Sequence, residues 1–194
     1  NTCKNLKKSF FSQGITQYKN NAKNIPFLIL AAGPSLQDIL PHLKEIKNKA
    51  IIVCVDTALR FCIKYNVEPD FIVLTDPQYW AYKHIDGIKS PSSILITESA
   101  VYPSVFRFLC KRIICCKSNF PLEHYFDSFR SEKGTLVAGG SVASTAWNFA
   151  QYAGASEIYV AGLDLAFVNK QTHIKGSTFG QATHTTSKRI ATAE

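Results

Sequence analysis

One segment, residues 27–37 with the sequence FLILAAGPSLQ, restricts the fold of this chain more than any other. Four apolar residues lead into Gly33 and Pro34, and a helical alternation of polar and apolar residues begins at Ser35. Glycine permits a tight turn, and proline suits the first turn of a helix, where its missing N–H is no loss. The segment predicts a buried strand, a turn and a helix start whose free N–H groups attract phosphate or carboxylate. An ordinary strand-to-helix turn explains it equally well.

Short apolar runs alternate with helical patterns along the rest of the chain. Such strands, apolar on both faces, are typical of a parallel sheet covered by helices on both sides. The alternation therefore predicts an α/β fold with a doubly wound, mostly parallel sheet. The predicted strands are 27–31, 50–55, 71–75, 94–97, 113–116 and 158–161, and the predicted helices are 35–47, 57–66, 79–85, 103–110 and 142–153.

The domain organisation is expected to be simple. Residues 1–24 are predicted as an N-terminal helical segment, and residues 25–194 as one α/β domain. Residues 169–188, rich in Thr, His, Gly and Gln, are predicted to be irregular, as in a lid or binding loop. Because the chain begins at Asn1 and contains no Met, we expect it to be a fragment of a longer protein.

Composition limits the partners and the compartment. The formal net charge of +8 suits an anionic partner such as a phosphorylated small molecule. Nucleic acid is not expected, because the basic clusters are not interleaved with aromatic residues. Six scattered Cys without a C-x-x-C pair predict reduced thiols in a cytoplasmic protein. No apolar run approaches the roughly 20 residues of a membrane span, and no secretion signal is expected.

Polar residues follow nearly every predicted strand, and ligands of open α/β sheets bind beyond the carboxyl ends of the strands. Asp56 either caps the following helix or accepts a hydrogen bond from a ribose or base. Asp76, followed by Gln78, and Asp164 are candidates for binding Mg²⁺ or sugar hydroxyls, or they simply close turns. Because no D-x-D pair is present, the metal signal is weak. Because polar residues follow nearly every strand, the sequence predicts one shared ligand site at the carboxyl ends of the strands.

A second glycine turn precedes the predicted helix 142–153. Gly139, Gly140 and Ser141 offer further backbone N–H groups for an anion, with Ser141 placed as the N-cap. A helix cap with close packing against the sheet is the alternative explanation. Two such turns in one domain suit a nucleotide-linked substrate with more than one anionic group.

Histidine supplies the candidate for proton transfer. His173 lies in the region predicted to be irregular, near Lys175, where it suits a general base near neutral pH. Lys175 would offset phosphate charge on a leaving group. His42 and His84 lie in predicted helices and are interpreted as surface residues.

Several segments together resemble one known family. They are AAGPSL (31–36), DTALRF (56–61), PDFIVLTDPQ (69–78), GGSVA (139–143), GLDLAF (162–167) and THIKG (172–176). The family is that of the Maf flagellin glycosyltransferases, whose central region is domain of unknown function 115. The relation extends to an archaeal 6-hydroxymethyl-7,8-dihydropterin pyrophosphokinase (MptE-like). The GPSL turn is also similar to the nucleotide-binding turn of bacterial sialyltransferases.

The resemblance implies a Rossmann-like domain that transfers a sugar. The donor would be a CMP-activated nonulosonic acid, and the acceptors would be Ser or Thr of flagellin in the cytoplasm, which links the protein to motility. No cofactor or metal would be required. By position, the resemblance assigns the nucleotide and donor to Gly33, Pro34, Ser35, Asp56, Asp76, Gln78, Gly139, Gly140 and Ser141, and the reaction centre to Asp164, His173 and Lys175.

Two other functions stay open. One is that of the pyrophosphokinase, which uses ATP and Mg²⁺ with a pterin alcohol as acceptor. The other is a noncatalytic nucleotide-binding module of a larger protein, which would bind a ligand without turnover. The sequence leaves open the sugar, the acceptor and the oligomeric state.

Overall fold

The computed structural model describes residues 1–137, 139–167 and 170–187. Its strands are β1 (Gln13–Gly14), β2 (Phe27–Leu30), β3 (Ile51–Val55), β4 (Phe71–Val73), β5 (Lys89–Thr97), β6 (Leu109–Cys115) and β7 (Ile158–Ala161). Its helices are α1 (Thr2–Phe11), α2 (Leu36–Ile39), α3 (Leu43–Ile46), α4 (Asp56–Lys64), α5 (Tyr79–Ile85), α6 (Pro121–Asp127), α7 (Val142–Ala153) and α8 (Thr178–Thr186). Three 3-10 turns cover Ile15–Tyr18, Leu40–His42 and Pro103–Arg107.

The seven strands form one sheet in the order β1-β6-β5-β4-β3-β2-β7, and every neighbouring pair is parallel. This arrangement confirms the predicted Rossmann-like α/β fold. From β2 the chain builds the sheet outward in one direction to β6, and β7 then returns to the opposite side of β2. Open α/β sheets bind ligands where the order reverses in this way. The carboxyl ends of β2, β3 and β7 are therefore the place to look for a site.

The N-terminal segment differs from the single helix predicted over 1–24. Helix α1 ends at Phe11, and Gln13 then pairs with Ile114 of β6 as the start of an edge strand. Ile15 behind this strand is fully buried, and the Lys133 ammonium donates a hydrogen bond to the Ser12 carbonyl. The segment is thus built into the sheet. Its division from residues 25–194 remains a prediction.

The six predicted strands are all present, whereas several helices differ. The helix predicted over 35–47 is divided into α2, a 3-10 turn and α3, because Pro41 lies in its middle and has no N–H to donate. The segment predicted as helix 103–110 is a 3-10 turn that leads directly into β6. Helix α6 was not predicted, and α8 lies within the region predicted to be irregular.

Helix α7 is anchored in the core by its aromatic side chain. Its Phe149 is fully buried, and the ring lies 4.8 Å from that of Phe71 on β4 and 6.0 Å from that of Tyr18. Ser141 and Ser144 form a reciprocal capping box at its start, and Gly154 ends it in the left-handed conformation with φ 87°. The predicted bounds of this helix and both of its end residues are confirmed.

Replacement of Phe149 tests this anchor. Phe149→Ala should lower the free energy of unfolding by about 3–5 kcal/mol, because the ring loses its contacts and leaves a cavity. The control Phe11→Ala, at a ring that is 78% exposed, should change it by less than about 0.5 kcal/mol. Urea denaturation followed by circular dichroism measures both. Equal effects would contradict the assigned role of α7.

Candidate functional site

A pocket of about 430 Å³ lies where the strand order reverses. Residues that follow β2, β3, β4 and β7 line it, together with the start of α7 and the segment around His173. The volume falls within the roughly 300–1,000 Å³ typical of small-molecule sites. Of the predicted site residues, the pocket brings together Gly33, Asp56, Asp76, Ser141, Asp164 and His173.

The first glycine turn, which contains Gly33 and Ser35, has its N–H groups hydrogen-bonded within the protein. The Gly33 N–H donates to the Gly162 carbonyl at 2.7 Å, and the Ser35 N–H donates to Asp164 Oδ2 at 3.2 Å. A β-carbon at Gly33 would lie 2.1 Å from Asp164 Oδ2 and 2.6 Å from the Gly162 carbonyl oxygen, and because the carbonyl is part of the backbone and cannot swing aside, glycine is required there. The expectation of free N–H groups is therefore wrong for Gly33 and Ser35. Contact of the turn with a nucleotide stays a prediction.

The second glycine turn leaves amides open toward the pocket. Ser141 and Ser144 satisfy each other's backbone N–H groups through their hydroxyls, at 3.3 and 3.2 Å. The N–H groups of Val142 and Ala143, which line the pocket, have no hydrogen-bond partner among the described residues. Helix α7 has 12 residues, long enough for a full dipole at its positive end. An anion in the pocket would meet this end.

Asp56 is the most deeply buried acid of the pocket, with 3% of its surface exposed. It is the first residue of α4, whose N-cap is Val55, and its carboxyl accepts a hydrogen bond from the backbone N–H of Thr57. Burial raises the pKa of Asp56 to about 7, and the negative charge of Asp76 adds to this. At neutral pH the carboxyl is thus partly protonated, so it can donate as well as accept a hydrogen bond.

His84 was interpreted as a surface residue, and this interpretation is wrong. It is 4% exposed and borders the pocket. Burial lowers the pKa of His84 to about 4, and the nearby His173 lowers it further. The signal was present in the sequence, since Ala81, His84 and Ile85 lie three and four residues apart and form the buried face of α5.

His173 reaches the pocket because its segment is anchored to the sheet. The N–H of the following residue, Ile174, donates to the Ala32 carbonyl at 2.8 Å, and the Ile174 side chain is buried. His173 Nδ1 lies 3.1 Å from Thr172 Oγ1. Burial lowers the pKa of His173, so the imidazole is in its neutral, proton-accepting form at neutral pH.

The remaining predicted site residues do not line the pocket. They are Pro34, Ser35, Gln78, Gly139, Gly140 and Lys175. Gln78 instead donates its backbone N–H to Asp76 Oδ1 at 2.8 Å and so fixes that carboxylate. Lys175 is exposed two residues beyond His173. Their roles in ligand binding stay predictions.

The described residues contain neither a metal-binding cluster nor a helix suited to cross a membrane. No group of three or more His, Cys, Asp or Glu side chains in this part of the chain is arranged to hold a metal ion. None of the helices described is both long and apolar enough to cross a membrane.

Comparison with known proteins identifies the relatives. Residues 1–170 match the family described as 6-hydroxymethylpterin diphosphokinase MptE-like. Two uncharacterized proteins of Treponema pallidum (strain Nichols) are 39% identical over 142 residues, or 66% of this chain, and 30% identical over 115 residues, or 59% of this chain. The chain spans only 36% and 26% of the lengths of these relatives.

A solved structure shares the fold. The Maf glycosyltransferase from Magnetospirillum magneticum AMB-1 superimposes with a TM-score of 0.64 and 23% sequence identity. The match covers 79% of this chain and 27% of the Maf chain. Together with the family match, this likeness confirms the resemblance predicted from the sequence motifs.

The buried carboxyl predicts a characteristic pH dependence for Asp56→Asn. The unfolded carboxyl titrates near its ordinary pKa of 3.8, whereas the folded one holds its proton until about pH 7. Between these values the wild type loses about 1.4 kcal/mol of stability per pH unit from this residue, because folding opposes ionisation. The amide of Asn does not titrate. The variant should therefore gain stability relative to wild type as the pH rises toward 7.

Urea denaturation of both proteins at several pH values between about 5 and 8 measures this difference. Taking the difference removes the contributions of His84 and other groups that titrate in both proteins. If the difference in unfolding free energy between the two proteins does not change with pH, the raised pKa assigned to Asp56 is contradicted.

Proposed function

This chain belongs to the 6-hydroxymethylpterin diphosphokinase MptE-like family, and we propose that it forms the nucleotide-sugar-binding part of a glycosyltransferase. The observation that carries the proposal is the pocket that joins the open amide end of α7 to the neutral imidazole of His173. The fold shared with a Maf glycosyltransferase supports it. The donor is a CMP-activated nonulosonic acid, and the acceptor is a Ser or Thr hydroxyl of flagellin in the cytoplasm.

The amide end of α7 receives the phosphate of the donor. The open N–H groups of Val142 and Ala143 and the helix dipole stabilise the negative charge that develops on the leaving CMP. Lys175, which is exposed two residues beyond His173, adds positive charge, and no metal ion is required. Asp164 accepts from a sugar or ribose hydroxyl, since a carboxylate held by one N–H keeps capacity for further hydrogen bonds.

His173 acts as the general base. The acceptor oxygen attacks the anomeric carbon from the face opposite the phosphate, and its proton passes to the imidazole. As the new glycosidic bond forms, the bond between the anomeric carbon and the phosphate oxygen breaks, and CMP leaves with the electron pair. The configuration at the anomeric carbon is inverted. Burial favours this role because it keeps the ring unprotonated at neutral pH.

A second function, transfer of diphosphate from ATP, is favoured by a different observation. Two acidic side chains, those of Asp76 and Asp164, border the same pocket, and Mg²⁺ is usually bound by one or two carboxylates together with substrate phosphates. Carboxylates beside phosphates are the usual protein partners of Mg²⁺. The family description also names a diphosphokinase. Titration calorimetry separates the two functions, because the glycosyltransferase prefers CMP and the kinase prefers ATP with Mg²⁺.

Replacement of His173 tests the proposed base. In an assay of CMP release from CMP-N-acetylneuraminic acid with a flagellin acceptor, His173→Ala should lower kcat by about 100-fold or more, the size typical of general-base loss. The Kd for CMP should stay within about twofold. The control His42→Ala, at an exposed position, should leave both values unchanged. Undiminished turnover in His173→Ala would remove His173 from the mechanism, and binding without any turnover would favour a noncatalytic module.

A further inference from the structure

Three large apolar side chains on one segment border the pocket and are open to solvent. Leu163, Leu165 and Phe167 follow β7, and the last two are 89% and 76% exposed. Among the described residues that line the pocket, Phe167 alone has a phenyl ring. Exposed apolar side chains that are grouped together mark ligand-binding or interaction sites, whereas single ones need no explanation. The proposed phosphate binding and proton transfer make no use of this apolar surface.

Leu165 holds a backbone conformation that its side-chain packing does not explain. Its φ of 52° is in the left-handed region, which a leucine rarely adopts and which costs free energy. Because the side chain is almost fully exposed, its contacts within the protein do not offset this cost. Strained backbone of this kind is concentrated at ligand-binding and active sites. A ligand that contacts the Leu165 side chain accounts for the conformation.

The segment also contains the acid proposed to bind a hydroxyl of the donor. Asp164 is held by the Ser35 N–H at 3.2 Å, and Phe167 follows it by three residues, a span of at most about 10 Å. Both side chains border the pocket. One nucleotide can therefore contact the Asp164 carboxylate through its ribose and the Phe167 ring through its base.

The base is the part of a sugar nucleotide that suits an apolar and aromatic surface. The phosphate is charged and the sugars carry hydroxyls on most of their carbons, and apolar contact would leave these groups without hydrogen bonds. A nucleobase instead has two flat faces without hydrogen-bonding groups, and its polar atoms lie along its edge. Aromatic side chains stack on these faces, and loss of one such ring weakens binding by about 5- to 150-fold per base.

We infer that Phe167 stacks on the nucleobase of the ligand, with the Leu165 side chain beside it. The inference rests on the proposed function in one point, that a nucleotide fills the pocket, and the glycosyltransferase and the diphosphokinase share that point. Phe167 then sets the affinity for the nucleotide part of the ligand. The effect extends to every base, because each base has a face on which a ring can stack.

Titration calorimetry on the full chain tests this contact. CMP, AMP and CMP-N-acetylneuraminic acid are titrated into wild type, Phe167→Ala and Phe167→Trp. Phe167→Ala should weaken all three ligands about tenfold, within the range for one stacked base, whereas Phe167→Trp should bind them at least as tightly as about half the wild-type affinity. The control Phe11→Ala removes a ring of matching exposure that does not border the pocket and should change none of the affinities.

Fluorescence establishes whether the ring contacts the base. A base stacked on the indole of Phe167→Trp quenches its emission. Saturating CMP should therefore lower the emission of this variant by a larger fraction than that of wild type, in which Trp80 and Trp147 give the background. Phe11→Trp is the matched control and should respond as wild type does.

Each result supports or overturns the inference. Weaker binding of CMP and AMP by Phe167→Ala, together with the extra quenching in Phe167→Trp, supports it. Wild-type affinity of Phe167→Ala for CMP, or no extra quenching at saturation, overturns it and leaves the proposed nucleotide site intact. A loss confined to CMP-N-acetylneuraminic acid also overturns it, because the ring then contacts the transferred sugar. If wild type binds none of the ligands, the proposed function fails, and the inference fails with it. Circular dichroism establishes that each variant is folded.

Discussion

The contact between the ends of β2 and β7 is the interaction on which the site depends. The carboxylate of Asp164 and the carbonyl of Gly162 approach the Gly33 turn so closely that any side chain there would collide with them. A β-carbon at Gly162 would likewise lie 2.2 Å from the Ala31 carbonyl oxygen. These two glycines let strands 130 residues apart in the chain meet at the reversal of the sheet. This contact borders the pocket. The N–H groups of Gly33 and Ser35 are bonded to Gly162 and Asp164 and are therefore not open to a ligand.

The charge of the pocket is smaller than its residue types suggest. Three acids and two histidines border it, yet burial moves three of the pKa values toward the neutral forms: it raises the pKa of Asp56 to about 7, lowers that of His84 to about 4 and lowers that of His173. Near neutral pH His84 is uncharged and Asp56 only partly ionised. Because Asp56 is only partly ionised, it repels an anionic ligand less than a full carboxylate would, and the open amides of α7 can act on that ligand.

The sequence was sufficient to predict the elements that depend on interactions between residues near one another in the chain. The apolar runs gave all six predicted strands, and Ser141 and Gly154 marked the two ends of α7, because strand burial and helix caps are read from adjacent residues. The features that the sequence did not predict depend on contacts between residues far apart in the chain. The partner of the Ser35 amide lies 129 residues away, and the two-residue strand β1 exists only because β6 is beside it. His84 is the exception, since its helical spacing to Ala81 and Ile85 had already indicated burial.

Helix α7 connects the aromatic core to the pocket at its start. Phe149 and Ala143 are six residues apart on one continuous helix, so about 9 Å of rigid rod separates the ring from the open amides. The rings of Tyr18, Phe71 and Phe149 therefore hold the start of α7 in place, although none of the three borders the pocket.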